Sequence, residues 1–552
     1  MLSCLSWHQG ARCGRAGLSH AGEKSNLMPF NVSEETLNAA GETLKFRTQM
    51  GFISRHSGVF LIGMIFRIGA GYIFKVYLGR TLGPEPLGMY ALGMTIIAFL
   101  GVFNGFGLPQ TAVRFVAHYT SSGNAEQLRQ FVVSATGIVL SANVALGLLI
   151  LWFGPWVAVH FYHTPALTPY MTLLAAIMML GALTGLYGKI VQGHKEVSRL
   201  TVITDFVGTP LTIALTVVLT AWGVGLRGYL LAQVLSAAAV LGLLGRLVWK
   251  LTPGVHLLKV KFSLPESQVT SFSATVAGMA LLNFLIGQSD KVLIGFYSNA
   301  RLLGIYAVAA SLVAYIPIAL QSVNQIFSPV ISDLHTRGER QLLERIYQTL
   351  TRWVLAFTLP LVIVIIVFSK PLMRVFGPGF ESGWLVLVIG ALGQLINSGV
   401  GSVGFLLLMS GNESKLIRVQ AAAALITVGL GLLLVPRWGI VGAAIVVAIT
   451  TVFTNILNLV LVHQLLRFFP YNRRSLRLLA PTIVSTVVVV LCKEILHNVL
   501  AAMATVVVGL LLAYVAFAVV WAGSSLDADD RVIGRAAWSK VKGFLPTIDV
   551  GS

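Results

Sequence analysis

Lys291–Ala307 reads KVLIGFYSNARLLGIYA, and Lys75–Ala91 reads KVYLGRTLGPEPLGMYA. The two align without a gap at an offset of 216 residues, and seven of seventeen positions coincide: Lys, Val, Gly, Leu, Gly, Tyr and Ala. A chain that repeats itself at this distance contains two copies of one structural unit. The meaning of the repeat depends on what lies between the copies.

Of the 552 residues, 56% are apolar and 11% are charged, against about 25% charged in a soluble domain. Apolar runs of about 20 residues, the length that crosses a bilayer core, recur along most of the chain. The reading is an all-α polytopic membrane protein with about fourteen transmembrane helices. The approximate spans are 58–79, 88–109, 131–153, 167–187, 200–221, 227–248, 270–296, 303–327, 351–369, 384–409, 419–436, 439–464, 477–495 and 500–522. The offset between the copies contains six spans. Six is even, so both copies share one orientation, and they are related by a pseudo-twofold axis along the membrane normal. The expected organisation is a polar tail at 1–56, a first six-helix lobe at 57–250 and a second at 265–468. An added helix pair follows at 475–522, and a second polar tail at 523–552. Two further landmarks recur: GLRG at 225–228 as GIVG at 439–442, and QGHKE at 192–196 as SGNES at 410–414.

The net charge of +19 would suggest nucleic acid in a soluble protein. Here the charges sit in short loops, where Lys and Arg set topology, and no nucleic-acid partner is expected. Twenty-three Lys and Arg fall in the loops and C-terminal tail on one side and seven in the loops on the other, which places both termini in the cytoplasm. No apolar core of a cleaved signal peptide precedes the first span, and Met28 opens a second plausible start. Cys4, Cys13 and Cys492 are too scattered for a disulfide framework or a zinc site. No Gly-x-x-x-x-Gly-Lys phosphate loop, metal pattern or catalytic carboxylate pair is present, so no enzyme, metal or cofactor is expected.

An ionisable side chain near the middle of a span costs about 2.5–3.5 kcal/mol on insertion scales and needs a partner or a wet cavity. Arg67, Gly71 and Lys75 fall at i, i+4 and i+8 on one helix face. Asn283, Gly287 and Lys291 form the same stripe 216 residues on, with Asp290 standing where the first copy has Phe74. Asp205 lies in the fifth span. Two matching cationic faces imply a central cleft, in which Gly71 and Gly287 are expected to face each other. Arg67, Lys75, Lys291, Asp290, Asn283 and Asp205 are the candidates to line it. The intramembrane amides, including Gln394 and Asn397, read as helix–helix glue.

Three stretches carry a family resemblance. YLGRTLGPEPLGMYALGMTI at 77–96, FGLPQTAVRFVAHY at 106–119 and QSDKVLIGFYSNARLLGIYAVAASL at 288–312 resemble bacterial polysaccharide-export flippases. These belong to the multidrug/oligosaccharidyl-lipid/polysaccharide exporter superfamily. The resemblance covers about 57–470 and implies a V-shaped pair of six-helix lobes working by alternating access in the bacterial inner membrane. The implied substrate is a polyprenyl-pyrophosphate-linked oligosaccharide for O-antigen, capsule or exopolysaccharide assembly. Cavity cations matching Arg67, Lys75 and Lys291 would meet the pyrophosphate. The implied partners are that lipid-linked substrate, membrane lipids, and a glycan polymerase with other proteins of a synthesis complex. The alternatives are a cation-coupled multidrug exporter, a peptidoglycan-precursor flippase, and a non-transporting scaffold of a glycan-synthesis complex.

Overall fold

The computed structural model describes residues 69–105, 107–252, 267–496, 502–523 and 530. Arg67, the expected N-terminal tail, and all of the expected C-terminal tail except Gly523 and Asp530 lie outside the described residues. Among the described residues the regular structure is helical and contains no strand.

The first repeat begins with α1 (residues 69–82), α2 (Pro84–Gly101), α3 (Leu108–Ser121) and α4 (Ala125–Trp156). It continues with α5 (Met171–Gly193), α6 (Val197–Thr201), α7 (Thr209–Ala221) and α8 (Gly225–Leu251). A π-helical stretch, Val202–Gly208, joins α6 to α7. The second repeat holds α9 (Ser267–Tyr297), α10 (Ala300–Val313), α11 (Ile318–Thr336), α12 (Arg340–Val367) and α13 (Ser369–Arg374). It ends with α14 (Trp384–Val400), α15 (Val403–Met409) and α16 (Glu413–Leu466). The final pair is α17 (Leu479–Leu496) and α18 (Ala502–Gly523).

Local chemistry sets several of these boundaries. Asn124 caps α4 by accepting from the Gln127 amide at 3.2 Å, and Asn299 caps α10 by accepting from the Leu302 amide at 2.9 Å. Each cap satisfies an N–H that the helix itself cannot. Pro317 stands at the start of α11, lacks a backbone donor, and marks the 51° bend between α10 and α11.

The apparent 54-residue α16 is a hairpin. Twenty-three residues of straight helix would span roughly 35 Å, yet the hydroxyls of Thr427 and Thr450 lie 3.0 Å apart. The chain folds back at Gly439, whose φ of 54° and ψ of −131° are non-helical. A side chain would strain this conformation. The chain thus turns where GIVG begins, at the boundary between the expected spans 419–436 and 439–464.

Ten described helices are long and apolar enough to cross a membrane, eleven when α10 and α11 are taken as one bent span. The fold-back in α16 adds a crossing to that number. The expectation of about fourteen also counts a first span described only from residue 69, and the broken α2–α3 pair.

The tightest contact between the repeats is α2 against α10. A Cβ on Gly88 would fall on the carbonyl oxygen of Ala300, and a Cβ on Gly304 on that of Pro84. Gly88 and Gly304 are equivalent by the 216 offset, and so are Pro84 and Ala300. The contact is therefore reciprocal, as in an isologous dimer, and only glycine lets the backbones approach this closely. Arg80 ties the same end of the first repeat to the second by donating Nε to the Val375 carbonyl at 2.8 Å.

The final pair packs on itself and on α12. Ser485 donates to the Ala513 carbonyl at 3.1 Å, and Tyr514 donates to the Phe357 carbonyl of α12 at 2.8 Å. Arg352, also on α12, is 2% exposed and pairs with Asp530 at 2.6 Å. Trp353 donates Nε1 to the same carboxylate oxygen at 3.0 Å.

Candidate functional site

The α2–α10 crossing closes one end of a cavity of about 390 Å³ lined by both repeats. Along α2 its wall runs from Leu87 to Ala98, and along α10 from Gly304 to Ser311. The cavity therefore lies on the C-terminal side of the crossing on both helices. Lys75 of α1 and Lys291 of α9 both line it, so the repeat brings its two lysines to one place.

Each lysine is half-buried and has a soft partner. The Lys75 Nζ sits 5.2 Å from the centroid of the Tyr315 ring, a cation–π contact. The Lys291 Nζ donates to Oε1 of Gln288 at 2.8 Å. Among the described residues no carboxylate pairs with either lysine, and none lines the cavity. Two cations share one cavity with no counter-ion among the described residues, and in a low-dielectric setting this favours an anionic guest.

Aromatic rings form another part of the lining. Tyr90 and Tyr229 lie 5.0 Å apart, centroid to centroid, and Gln233 donates Nε2 to the Tyr90 hydroxyl at 3.1 Å. Phe74 packs edge-on against Tyr229 at 6.1 Å.

The remaining candidates are placed elsewhere. Asp290 is buried and turned into the second repeat. Its Oδ2 accepts from the Tyr306 hydroxyl at 2.6 Å, and its Oδ1 from the Lys291 amide at 2.8 Å. Asn283 is exposed on α9 and does not line the cavity. Asp205 is half-buried in the π-helical stretch, also away from the cavity lining. Arg67 lies outside the described residues. Gly71 faces the Tyr315 hydroxyl, 3.6 Å from where its Cβ would be, whereas a Cβ on Gly287 would meet nothing within 4 Å. Their expected confrontation across the cleft is thus replaced by a Gly71–Tyr315 approach. Asn397 donates to Gln394 at 2.8 Å within α14.

Sequence reasoning missed Tyr90, Tyr229, Gln288 and Ser311. A signal existed for two of them. Tyr90 is the conserved tyrosine of the internal repeat, and Gln288 stands one turn before Lys291 on the same face.

The fold matches solved transporters. It superposes on the lipid II flippase MurJ in an inward closed conformation with a TM-score of 0.63 at 16% identity, covering 83% of this chain and 98% of that one. An inward-facing multidrug resistance MATE family transporter of the MOP superfamily gives 0.59 at 14% identity, covering 72% and 94%. Among curated relatives, a probable low-salt glycan biosynthesis flippase, Agl15 of Haloferax volcanii, is 21% identical over 74% of this chain and 82% of its own length. The succinoglycan biosynthesis transport protein ExoT of Rhizobium meliloti is 24% identical over 62% of this chain and 66% of its own. The named relatives and neighbours are flippases and transporters rather than enzymes, and this chain is a multi-pass membrane protein that shares the fold of the solved transporters. A family model described as polysaccharide biosynthesis protein matches residues 77–389, more than half of the length, and the chain belongs to that family.

Proposed function

We propose that the chain flips a polyprenyl-pyrophosphate-linked oligosaccharide from the cytoplasmic to the outer face of a bacterial inner membrane. The unit would feed O-antigen, capsule or exopolysaccharide assembly. The observation that carries this reading is the pair Lys75 and Lys291, one from each repeat, lining a single cavity with no carboxylate among the described residues. A pyrophosphate supplies one anionic group for each lysine, and Tyr90 and Tyr229 offer apolar faces with polar edges for sugar rings. A cavity built for organic cations would need the opposite charge. The names of the glycan-biosynthesis relatives support the substrate class.

The Lys and Arg bias supports cytoplasmic termini. In that orientation the cavity lies on the cytoplasmic side of the α2–α10 crossing, where the lipid-linked unit is made, and the crossing closes the outer side. Substrate enters between the lobes with its polyprenyl chain left in the bilayer. Rocking of the lobes then exposes the cavity outward. Outward movement of an anion down a membrane potential gains roughly 2.3 kcal/mol per charge per 100 mV, so the step needs no nucleotide site.

The test is a flipping assay in proteoliposomes with a fluorescent polyprenyl-pyrophosphate oligosaccharide and a membrane-impermeant quencher. The wild-type chain is expected to flip the probe. Lys75→Ala with Lys291→Ala should slow it at least tenfold, and the double Arg variant should retain part of the rate because charge is kept. Wild-type rates in the Ala variant would overturn the site assignment. Transport of an organic cation in place of the probe would favour the multidrug alternative, and no transport at all the scaffold.

A further inference from the structure

Far from the central cavity, the end of the α16 hairpin opposite Gly439 holds a groove of about 310 Å³. Its lining is Lys415, Arg418 and Val419 from the outgoing arm, with Leu457 and Leu461 from the returning arm. Lys415 and Arg418 are three residues apart, and Leu457 and Leu461 four, so each pair shares one helix face. The groove thus has a cationic mouth and an apolar floor.

Three other basic side chains near helix ends bring their own counter-ions. Arg129 pairs with Glu126 at 3.6 Å, Arg199 with Glu196 at 3.3 Å and Arg337 with Asp333 at 2.9 Å, each within one helix. Among the described residues no carboxylate pairs with Lys415 or Arg418. Arg418 makes one long bond, from Nε to the Ser414 carbonyl at 3.4 Å. Both cations occupy the first two turns of α16, where neighbouring like charge and the helix dipole oppose them. An external anion would relieve both repulsions.

The floor decides which anion. Free phosphate gains nothing from Val419, Leu457 and Leu461, whereas a lipid sets its phosphate against the cations and its chains along the leucines. We propose that this groove binds an anionic glycerophospholipid. Arg418 would fork two phosphate oxygens while Lys415 adds a point charge. The same hairpin packs on α9, the helix of Lys291, so the bound lipid would brace the second lobe from its periphery.

The experiment uses the purified full chain in a Lys75→Ala/Lys291→Ala background, which removes the central cations from the measurement. Retained lipid is counted by native mass spectrometry after incubation with phosphatidylglycerol or phosphatidylcholine. One phosphatidylglycerol per chain should be retained in excess over phosphatidylcholine. Lys415→Ala or Arg418→Ala should each weaken its retention about five-fold, the factor expected for one basic side chain at an anionic surface. Arg418→Lys should recover part of it, and Arg199→Ala, which removes a paired cation, should change nothing. Equal retention of the two lipids, or unchanged retention in Lys415→Ala/Arg418→Ala, would overturn the site. Displacement by millimolar inorganic phosphate would overturn the lipid assignment in favour of a free-anion site. None of these outcomes depends on whether the chain flips a glycan.

Discussion

Tyr90 and Tyr306 occupy equivalent places in the two repeats, and their hydroxyls have different partners. Tyr90 lines the central cavity and accepts from Gln233. Tyr306 is 2% exposed and donates to the Asp290 carboxylate. The difference follows from one neighbouring position, where the first repeat has Phe74 and the second has Asp290. Phe74 packs on the Tyr229 ring and leaves its tyrosine open to the cavity. Asp290 draws its tyrosine inward. The backbone geometry of the repeat is kept at Gly88 and Gly304, and the lysines are kept at 75 and 291, while the polar filling between them has diverged. A cavity bounded by such halves is symmetric in shape and asymmetric in chemistry.

The shared part of this comparison carries the largest expected effect. Gly88→Ala and Gly304→Ala each place a methyl group on a facing carbonyl, an overpacking expected to cost about 3 kcal/mol or more. Denaturant unfolding of the two variants should give similar losses. A loss confined to one of them would break the equivalence of the crossing.

The divergent part gives the next largest effect. Tyr306→Phe removes a buried donor from a carboxylate and should cost about 1.5–3 kcal/mol. Tyr90→Phe removes a bond to a neutral amide and should cost about 0.5–1 kcal/mol. A double-mutant cycle of Tyr306→Phe with Asp290→Ala should show coupling, and equal costs for the two tyrosines would erase the proposed distinction.

The smallest effect is at the surface. Arg374 and Glu381 form an exposed pair at 2.8 Å where the same offset puts Ala158 and Pro165 in the first repeat. Arg374 holds the Glu381 carboxyl below its ordinary range. Its contribution is therefore present above the ordinary carboxylate pKa and fades as pH falls through the lowered one. Because the pair is exposed and screened, Glu381→Gln should lower the Tm at neutral pH only slightly, and that small difference from wild type should vanish as pH falls below the lowered carboxyl range.

The helical class, the repeat and the turn at Gly439 were legible because each is written in local pattern: apolar run length, an ungapped offset, and a glycine pair between spans. Lys75 and Lys291 were legible for the same reason. The direction of the Asp290 side chain was not, since an acid beside a cavity lysine looks like a cavity acid until its partner is known. That partner, Tyr306, is sixteen residues away on another helix. The Arg352–Asp530 pair was hidden by distance too: 178 residues separate its members. Tyr229 was hidden because an aromatic residue in an apolar span carries no mark that distinguishes a cavity wall from a core.

The glycine crossing has a mechanical consequence. From Gly88 to the start of α2 at Pro84 is four residues, about 6 Å of helix, and from Gly88 to Gly101 is thirteen, about 20 Å. α2 therefore has unequal arms about the point where two bare backbones touch, and any tilt about that point would act as a lever. A displacement of about 1 Å at its short end becomes roughly 3 Å at its long end, beyond the cavity. Small changes in how the N-terminal turns of α2 and α10 seat against each other would in this way be amplified at their far ends.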